Sequence, residues 1–389
     1  MTEKVKGFQD YLGLEAEKRS EIKKILARTF EKYGFNPVET PLIEYEKFVK
    51  GDNSNDEAIS DIFKLKDKGK RDLALRYEFT FQLKRLMENK KLPFKRYQIG
   101  EVFRDEPVST NRFRQFTQCD IDCIGSSEKE EAEVLAVVNE ILKTLGISFT
   151  IYANNRELLN EILRELNIKD KEDVLREIDK LDKIPEKEVK SNLKKYNAEK
   201  LLEILKKPKS YFKKYSSFVE LEKLEQFCKY YDVEIKFQPN LSRGLSYYNG
   251  NVFEVRVKNM KETICAGGSY IFNKVQSTGL SFGLERLSSL IKAIDKKEKY
   301  LIVSLKQDKE AIKLANNLRK QGKIASIYYG KPSKALEYAN SYQINNVIFA
   351  GAQEIKKKKF KVKDMKTGKE KYLILEKRTK KNIIIKKKK

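Results

Sequence analysis

Apolar positions recur along this chain with distinct spacings, and each change of spacing marks a change of element. Over residues 14–33, Ile22, Ile25, Leu26, Phe30 and Tyr33 return at helical intervals, which predicts a helix closed by Gly34. Residues 35–42 carry Pro37 and Pro41 and read as an extended segment. From about 73 to 125 the period falls to two. In FTQCDIDCIG, Gln118, Asp120 and Asp122 share one face, and Cys119, Ile121 and Cys123 share the other. In LALRYEFT, Arg76, Glu78 and Thr80 share a face opposite Leu75, Tyr77 and Phe79. Such strands suit an antiparallel sheet with its apolar face on a core and its polar face lining a cleft. Alternation alone fits plain solvent exposure of the polar face equally well.

Residues 156–231 return to helical spacing. Leu159, Ile162, Leu163 and Leu166 form one stripe, and Val174, Leu175, Ile178 and Leu181 form the next. Strand patterning resumes at Val233 and runs past Val257, so this Lys- and Glu-dense block reads as a helical subdomain inserted between strands. After Glu298, YLIVSL, KIASIYYG and NNVIFAG read as strands, and 309–321 and 333–342 as helices. A hairpin is expected around Lys366-Thr367-Gly368. This alternation predicts a compact α/β unit of about 90 residues.

The chain has 389 residues, more than one ordinary core holds, and its 40% hydrophobic content suffices for globular packing. No apolar run approaches the roughly 20 residues of a membrane span. The opening MTEKVKGFQDYL lacks the apolar centre of a signal peptide, so no membrane association and a cytoplasmic location are expected. Cys119, Cys123, Cys228 and Cys265 form no CxxC pair and read as buried free thiols. The net charge of +25 favours polyanionic partners, because Lys and Arg that neutralise phosphates release counterions. A lysine-rich composition that fills every permissive surface site accounts for the same charge. The absence of histidine excludes more: Ser-His, Cys-His and His-metal mechanisms are all impossible. An enzyme built from this chain works through Arg, Lys, carboxylates, Tyr and a bound metal or phosphate.

Lys greatly outnumbers Arg, yet Arg persists in four separated segments. They are GEVFRDEPVSTNRFRQFTQCDID with Arg104, Arg112 and Arg114; LRYEFT with Arg76, Glu78 and Thr80; LSRGLSYYNGNVFEV with Arg243, Tyr247 and Tyr248; and TGLSFGLERLSSL with Arg286. Guanidinium offers a planar fork of donors to a phosphate, whereas ammonium is a point charge. Arginine kept in a Lys-rich chain points to geometric demand, such as binding of a triphosphate.

The strand-loop-strand of the first segment resembles motif 2 of class II aminoacyl-tRNA synthetases, and FGLERL resembles motif 3. The helix over 14–33 with the strand ending at Pro41 resembles motif 1, which implies a homodimer. RGLSYYNGNVFEV and AGGSY resemble the two signatures of histidyl-tRNA synthetases, and LRYEFT with QFTQCDID is similar to the archaeal and eukaryotic branch. The resemblance implies an α+β fold: a class II antiparallel sheet flanked by helices, a helical insertion, and a C-terminal α/β anticodon-binding domain. The implied division is 1–155 and 233–296 for the two parts of the catalytic domain, 156–232 for the insertion, and 297–389 for the anticodon-binding domain with its Lys-rich tail.

The resemblance further implies histidine, ATP carrying Mg2+, and tRNA(His) as substrates, with no metal site of the protein's own. Arg104 would meet the α-phosphate and the histidine carboxylate, Glu106 the adenine amino group, and Arg112 and Arg286 the outer phosphates. Glu78 and Thr80, with Gln118, would take the α-ammonium. Asp122, Tyr248 and Tyr270 would surround the imidazole, whose N–H groups need acceptors, and Phe79 and Tyr247 would also bind the histidine. Arg243 and Arg104 would be catalytic, with Arg243 against the α-phosphate where charge builds during in-line attack. The chain departs from the family pattern at Gln9 (usually Arg), Ser246 (usually Asp in RGLDYY), and Ser269 with Ile271 in GGRYDG. The last three are expected near the amino-acid pocket. The alternatives are a catalytically degenerate synthetase-like regulatory protein, a sister class II synthetase, and a non-enzymatic RNA-binding module.

Overall fold

The computed structural model describes residues 3–50, 61–109, 112–242, 248–258, 260, 262–292, 298–357 and 359–374. The chain divides into two compact units, Met1–Lys292 and Ala293–Lys389.

The strands described in the first unit are β1 (Asn36–Pro37), β2 (Ile43–Tyr45), β3 (Lys64–Lys66), β4 (Asp72–Leu75), β5 (Phe94–Phe103), β6 (Gln115–Ile124), β7 (Phe149–Asn155), β8 (Ile235–Phe237), β9 (Tyr248–Val257), β10 (Cys265–Phe272) and β11 (Val275–Gly283). Eight of them form one sheet in the order β1-β5-β6-β11-β10-β9-β7-β8, and β2-β4-β3 form a small second sheet. The large sheet is antiparallel from β5 to β7, as alternation predicts, and gains one parallel strand at each edge. Strand β1 is short because Pro37 has no N–H to continue the ladder.

The helices described there are α1 (Gly13–Lys32), α2 (Glu46–Lys50), α3 (Leu83–Leu86), α4 (Glu128–Thr144), α5 (Arg156–Glu165), α6 (Lys171–Ile178), α7 (Glu186–Leu193), α8 (Lys200–Leu205), α9 (Phe218–Tyr230) and α10 (Leu284–Leu290). Ser127 starts α4 with a reciprocal capping box to Glu130, which satisfies two orphan backbone donors. Helices α5–α9 all lie between β7 and β8, and α9 packs against α4. Helices α1, α4 and α10 cover one face of the large sheet, where Cys119, Ile121 and Cys123 are fully buried. All four cysteines are buried free thiols. Helix α1 inserts Ile22, Leu26 and Phe30 there, each contributing about 1.5–3 kcal/mol by leaving water. Arg19 of α1 pairs with Glu285 of α10 at 2.9 Å, and that carboxylate also accepts the Thr117 N–H of β6 at 3.1 Å. One buried ion pair thus ties two helices to the sheet.

The expected strand through LRYEFT is corrected. Strand β4 ends at Leu75, and the chain turns through residues 76–82 into α3. The cause is Arg76, whose guanidinium is drawn inward to the Glu101 carbonyl at 2.7 Å and the Thr40 carbonyl at 2.8 Å. Arg76 is therefore buried over the Phe79 ring and shares no exposed face with Glu78 and Thr80.

The second unit has strands β12 (Lys299–Ser304), β13 (Ile324–Tyr328), β14 (Asn346–Ala350), β15 (Lys359–Asp364) and β16 (Glu370–Ile374), with helices α11 (Asp308–Lys320), α12 (Pro332–Ser341) and α13 (Ala352–Lys357). The sheet order is β13-β12-β14-β15-β16, parallel through its first three strands and closed by the β15–β16 hairpin. Helix α13 was not apparent from spacing, because its six residues AQEIKK bury none of their side chains. The Lys-rich tail beyond residue 374 lies outside the described residues.

Candidate active site

The polar face of β6 is not open surface. Gln118, Asp120 and Asp122 are only 8%, 6% and 4% exposed, although they point away from the helix layer. The register explains how they are covered. Asp122 lies beside Arg96 on β5 and beside Gly279 on β11. Arg96 is fully buried, and its Nη2 stands 2.5 Å from Asp122 Oδ2. Tyr270 of β10 donates its hydroxyl to Asp122 Oδ1 at 2.6 Å. Burial and the adjacent Asp122 charge push the Tyr270 phenol far up, so it remains the donor.

Two glycines make this arrangement possible. A Cβ at Gly279 would lie 2.2 Å from Asp122 Oδ1, and one at Gly268 would lie 2.9 Å from the Tyr248 ring. The bare backbone forms a floor on which the carboxylate and the ring rest. Tyr248 and Tyr270 pack with Leu83, Ile124, Leu241 and Val252, so their rings are held in place. Next to Asp122, Ser281 donates to Asp120 Oδ1 at 2.5 Å, and Gln118 donates to the Ser281 hydroxyl at 2.9 Å. Burial, opposed by Arg96 and reinforced by Asp122, pushes the Asp120 carboxyl up to about 7.

The turn after β4 adds a third carboxylate. Glu78 Oε1 accepts the Phe81 N–H at 2.8 Å, which holds the turn closed. Burial raises the Glu78 pKa and Asp122 adds to the rise, while the Phe81 N–H, the Thr80 hydroxyl and Arg104 oppose it. Glu78, Thr80, Asp122, Tyr270 and Arg104 thus act on one another electrostatically. Phe79 is fully buried and presents its carbonyl, which accepts from Arg96 at 3.3 Å.

Arg104 borders this pocket, where its charge acts on Glu78. The Arg104 guanidinium sits 4.2 Å from the Tyr77 ring centre and 5.1 Å from that of Phe116, between two aromatic rings. Glu106 lies 4.0 Å from Arg104 and 3.3 Å from Arg112. Arg286 donates to the Thr263 carbonyl at 2.6 Å. Arg243, Ser246 and Tyr247 lie outside the described residues.

Two of the departures are placed differently from expectation. Ser269 points to the helix-packed face, opposite Tyr270, and donates to Glu131 of α4. Ile271 is 58% exposed. Neither side chain enters the pocket, because strand residues alternate faces and Tyr270 occupies the pocket side. Sequence reasoning also missed Arg96, Tyr77 and Phe116. The alternation in FKRYQIG placed Arg96 and Gln98 on one face, but nothing in the string said that Arg96 would stand opposite Asp122.

The mixed sheet flanked by helices matches the catalytic core of class II aminoacyl-tRNA synthetase structures. The family model described as Histidyl-tRNA synthetase matches residues 7–287, and one described as Anticodon binding domain matches residues 295–383. The chain belongs to the histidyl-tRNA synthetase family. It is 32% identical over 415 residues to histidine–tRNA ligase 2 of Shouchella clausii, covering 95% of this chain and 97% of that protein. It is 34% identical over 416 residues to the histidine–tRNA ligase of Wolinella succinogenes, covering 94% of each. The solved histidyl-tRNA synthetase from Nostoc sp. PCC 7120 superposes with a TM-score of 0.84 at 25% identity, covering 96% of both chains.

Proposed function

We propose that this chain, as an aminoacyl-tRNA ligase of that family, joins histidine to tRNA(His) in two steps on the polar face of the large sheet. First a carboxylate oxygen of histidine attacks the α-phosphorus of ATP, forming histidyl-adenylate and releasing pyrophosphate. Then the terminal ribose 3′-hydroxyl of the tRNA attacks the adenylate carbonyl, and AMP leaves. Mg2+ enters with ATP.

The observation that carries the choice of amino acid is the Asp122 carboxylate, fixed between Arg96 and Tyr270 on the glycine floor. An imidazole N–H needs an acceptor, and a buried carboxylate held by a counter-charge is a strong one. An apolar side chain in its place leaves these buried groups unpaired, which such pockets reject strongly. In this reading Phe79, Tyr247, Tyr248 and Tyr270 enclose the ring, and Glu78, Thr80 and Gln118 receive the α-ammonium. Arg104 meets the α-phosphate and the histidine carboxylate. Its place between Tyr77 and Phe116 supports that role, because a guanidinium already oriented needs no reorganisation as charge develops. Arg112 and Arg286 take the outer phosphates, Glu106 the adenine amino group, and Arg243 the charge growing on the α-phosphate. Little proton transfer is asked of the protein, so positioning and electrostatics suffice without histidine.

The division into catalytic parts 1–155 and 233–296, insertion 156–232 and anticodon-binding domain 297–389 belongs to the same proposal. So do a homodimer formed through α1 and the following extended segment, and a cytoplasmic location. No helix among the described residues is long and apolar enough to cross a membrane. The test is ATP–pyrophosphate exchange with each amino acid offered singly. Histidine-dependent exchange is expected, and absence of exchange with every amino acid would refute the reading in favour of a synthetase-like protein that no longer charges tRNA. Arg243→Ala should abolish exchange while circular dichroism and tRNA binding stay unchanged; retained exchange would sink its assigned role.

A further inference from the structure

Behind the pocket, on the helix-packed face of the sheet, lies a cluster of polar side chains, buried except for the exposed Glu220 at its edge, that the proposed chemistry does not use. Its centre is Glu131 of α4, which is 4% exposed. Ser269 of β10 donates its hydroxyl to Glu131 Oε1, and Asn251 of β9 donates to Oε2 at 2.8 Å. Asn155, at the end of β7, donates to Asn251 at 3.1 Å and to Glu220 of α9 at 2.7 Å. Asn155 also caps α5 by accepting the Glu157 and Leu158 N–H groups. Five side chains from five elements thus form one chain of hydrogen bonds.

The cluster sits where the sheet is irregular. Gly268 pairs with Val252 and Tyr270 with Tyr248, so on β10 the single residue Ser269 spans Asn249, Gly250 and Asn251 on β9. A slipped register takes backbone groups out of the ladder, bends the strand and increases its local twist, so the side chains beside it are aimed by whatever fills the gap. Glu131 bridges that gap, holding Ser269 on one strand and Asn251 on the other. The fit is close: a Cβ on Gly250 would lie 3.2 Å from the Ser269 Cβ. The residues flanking the slip are Tyr248 and Tyr270, the two walls assigned to the imidazole.

We propose that Glu131 is a positioning residue for histidine selection, locking the β9–β10 slip through Ser269 and Asn251 and so setting where Tyr248 and Tyr270 stand. The proposal rests on the assignment of those two tyrosines to the histidine pocket. It gives a role to the serine found where GGRYDG has arginine: a small hydroxyl reaches the carboxylate and still fits against Gly250.

Among the described residues, Glu131 meets hydroxyl, amide, thiol and carboxyl groups. Those facing it are Ser269 and Asn251 on the sheet, Glu128 on its own helix, and Glu220 and Cys228 on α9. Burial pushes its carboxyl up to about 7, with Ser269 and Asn251 opposing and Glu128 and Glu220 adding to the rise. Both donors are accepted in full only by the ionised carboxylate, so the locked state gains population as pH rises through neutrality.

The test measures ATP–pyrophosphate exchange for the wild type, Glu131→Gln, Glu131→Ala and Ser269→Ala, with histidine and ATP varied separately across neutral pH. Glu131→Ala and Ser269→Ala should raise KM for histidine about tenfold and leave KM for ATP within about twofold of the wild type. Glu131→Gln offers one acceptor in place of two, so its histidine KM should stay near the value the wild type shows at acidic pH and lose the wild-type fall with rising pH. Histidine KM within about twofold of the wild type in both Ser269→Ala and Glu131→Ala would overturn the proposal, as would parallel rises in both KM values. Should Glu131→Ala fail to fold, Ser269→Ala and the pH profile of Glu131→Gln decide. A wild type without histidine-dependent exchange refutes the pocket assignment and this proposal with it, a result distinct from active variants with unchanged KM.

Discussion

Removing the Arg96 charge tests the pocket most directly. Arg96 and Asp122 face each other across adjacent strands at 2.5 Å, with side chains 0% and 5% exposed. An exposed pair of this kind contributes about 0–1 kcal/mol. Here solvent cannot stand in for the missing partner, and removing one member of a buried pair costs about 3–5 kcal/mol because the other charge is stranded. Arg96→Met preserves much of the volume and, among the described residues, leaves Asp122 with the Tyr270 hydroxyl alone. The carboxyl then takes up a proton or swings away, and in either case the imidazole loses its charged acceptor. A hydrogen bond to a charged group contributes about 1.5–3 kcal/mol, so KM for histidine should rise roughly tenfold to a hundredfold, with KM for ATP nearly unchanged. The double variant Arg96→Met/Asp122→Asn should recover most of the stability and none of the histidine affinity. Arg96 Nε and Nη1 have no hydrogen-bond partner among the described residues, so burying this guanidinium is itself costly and its removal with Asp122 is tolerated. Exchange kinetics and urea unfolding supply the two readouts. A single Arg96→Met variant with histidine KM and stability both close to the wild type would refute the reasoning.

Gly279→Ala would drive a methyl to 2.2 Å from Asp122 Oδ1; displacement of the carboxylate should raise histidine KM at least about tenfold and cost about 1–3 kcal/mol in unfolding. Arg104→Lys keeps the charge but loses the planar stack between Tyr77 and Phe116, and kcat in exchange should fall roughly a hundredfold; an unchanged kcat would show that the guanidinium plane is irrelevant. Asp120 is lifted from 3.8 to about 7, so between those values the native state keeps a proton that the unfolded chain has released. Its contribution therefore falls as pH rises through that window and is flat above it. Asp120→Asn should show a flatter pH–stability curve over the same interval and exceed the wild type in thermal stability above neutrality; a curve parallel to the wild type would contradict the raised pKa.

Much of the architecture was legible because burial imposes a period on the string. The stripe Ile22, Leu26 and Phe30 became the buried face of α1, and the alternation through FTQCDIDCIG became β6 with its thiols against the helices. The same logic failed at LRYEFT, where a side chain overrode the pattern: Arg76 found three backbone and hydroxyl acceptors inside and pulled the strand into a turn. The two strand edges were equally hidden, since parallel pairing of β1 and β8 depends on where distant segments meet.

The chemistry divided in the same way. By itself the sequence determined which groups are available: arginines, carboxylates and phenols, and no imidazole. It also determined their likeness to a family of ligases, because residue type and short spacing are local properties. The tertiary structure alone decided the partners. Asp122 gains its counter-charge from Arg96 and its floor from Gly279 only because β5 and β11 flank β6 in this register, and Ser269 faces Glu131 rather than the pocket because Tyr270 takes the other side. A shift of one residue in either pairing reverses every face, so identity fixes what a side chain can do and register fixes what it meets.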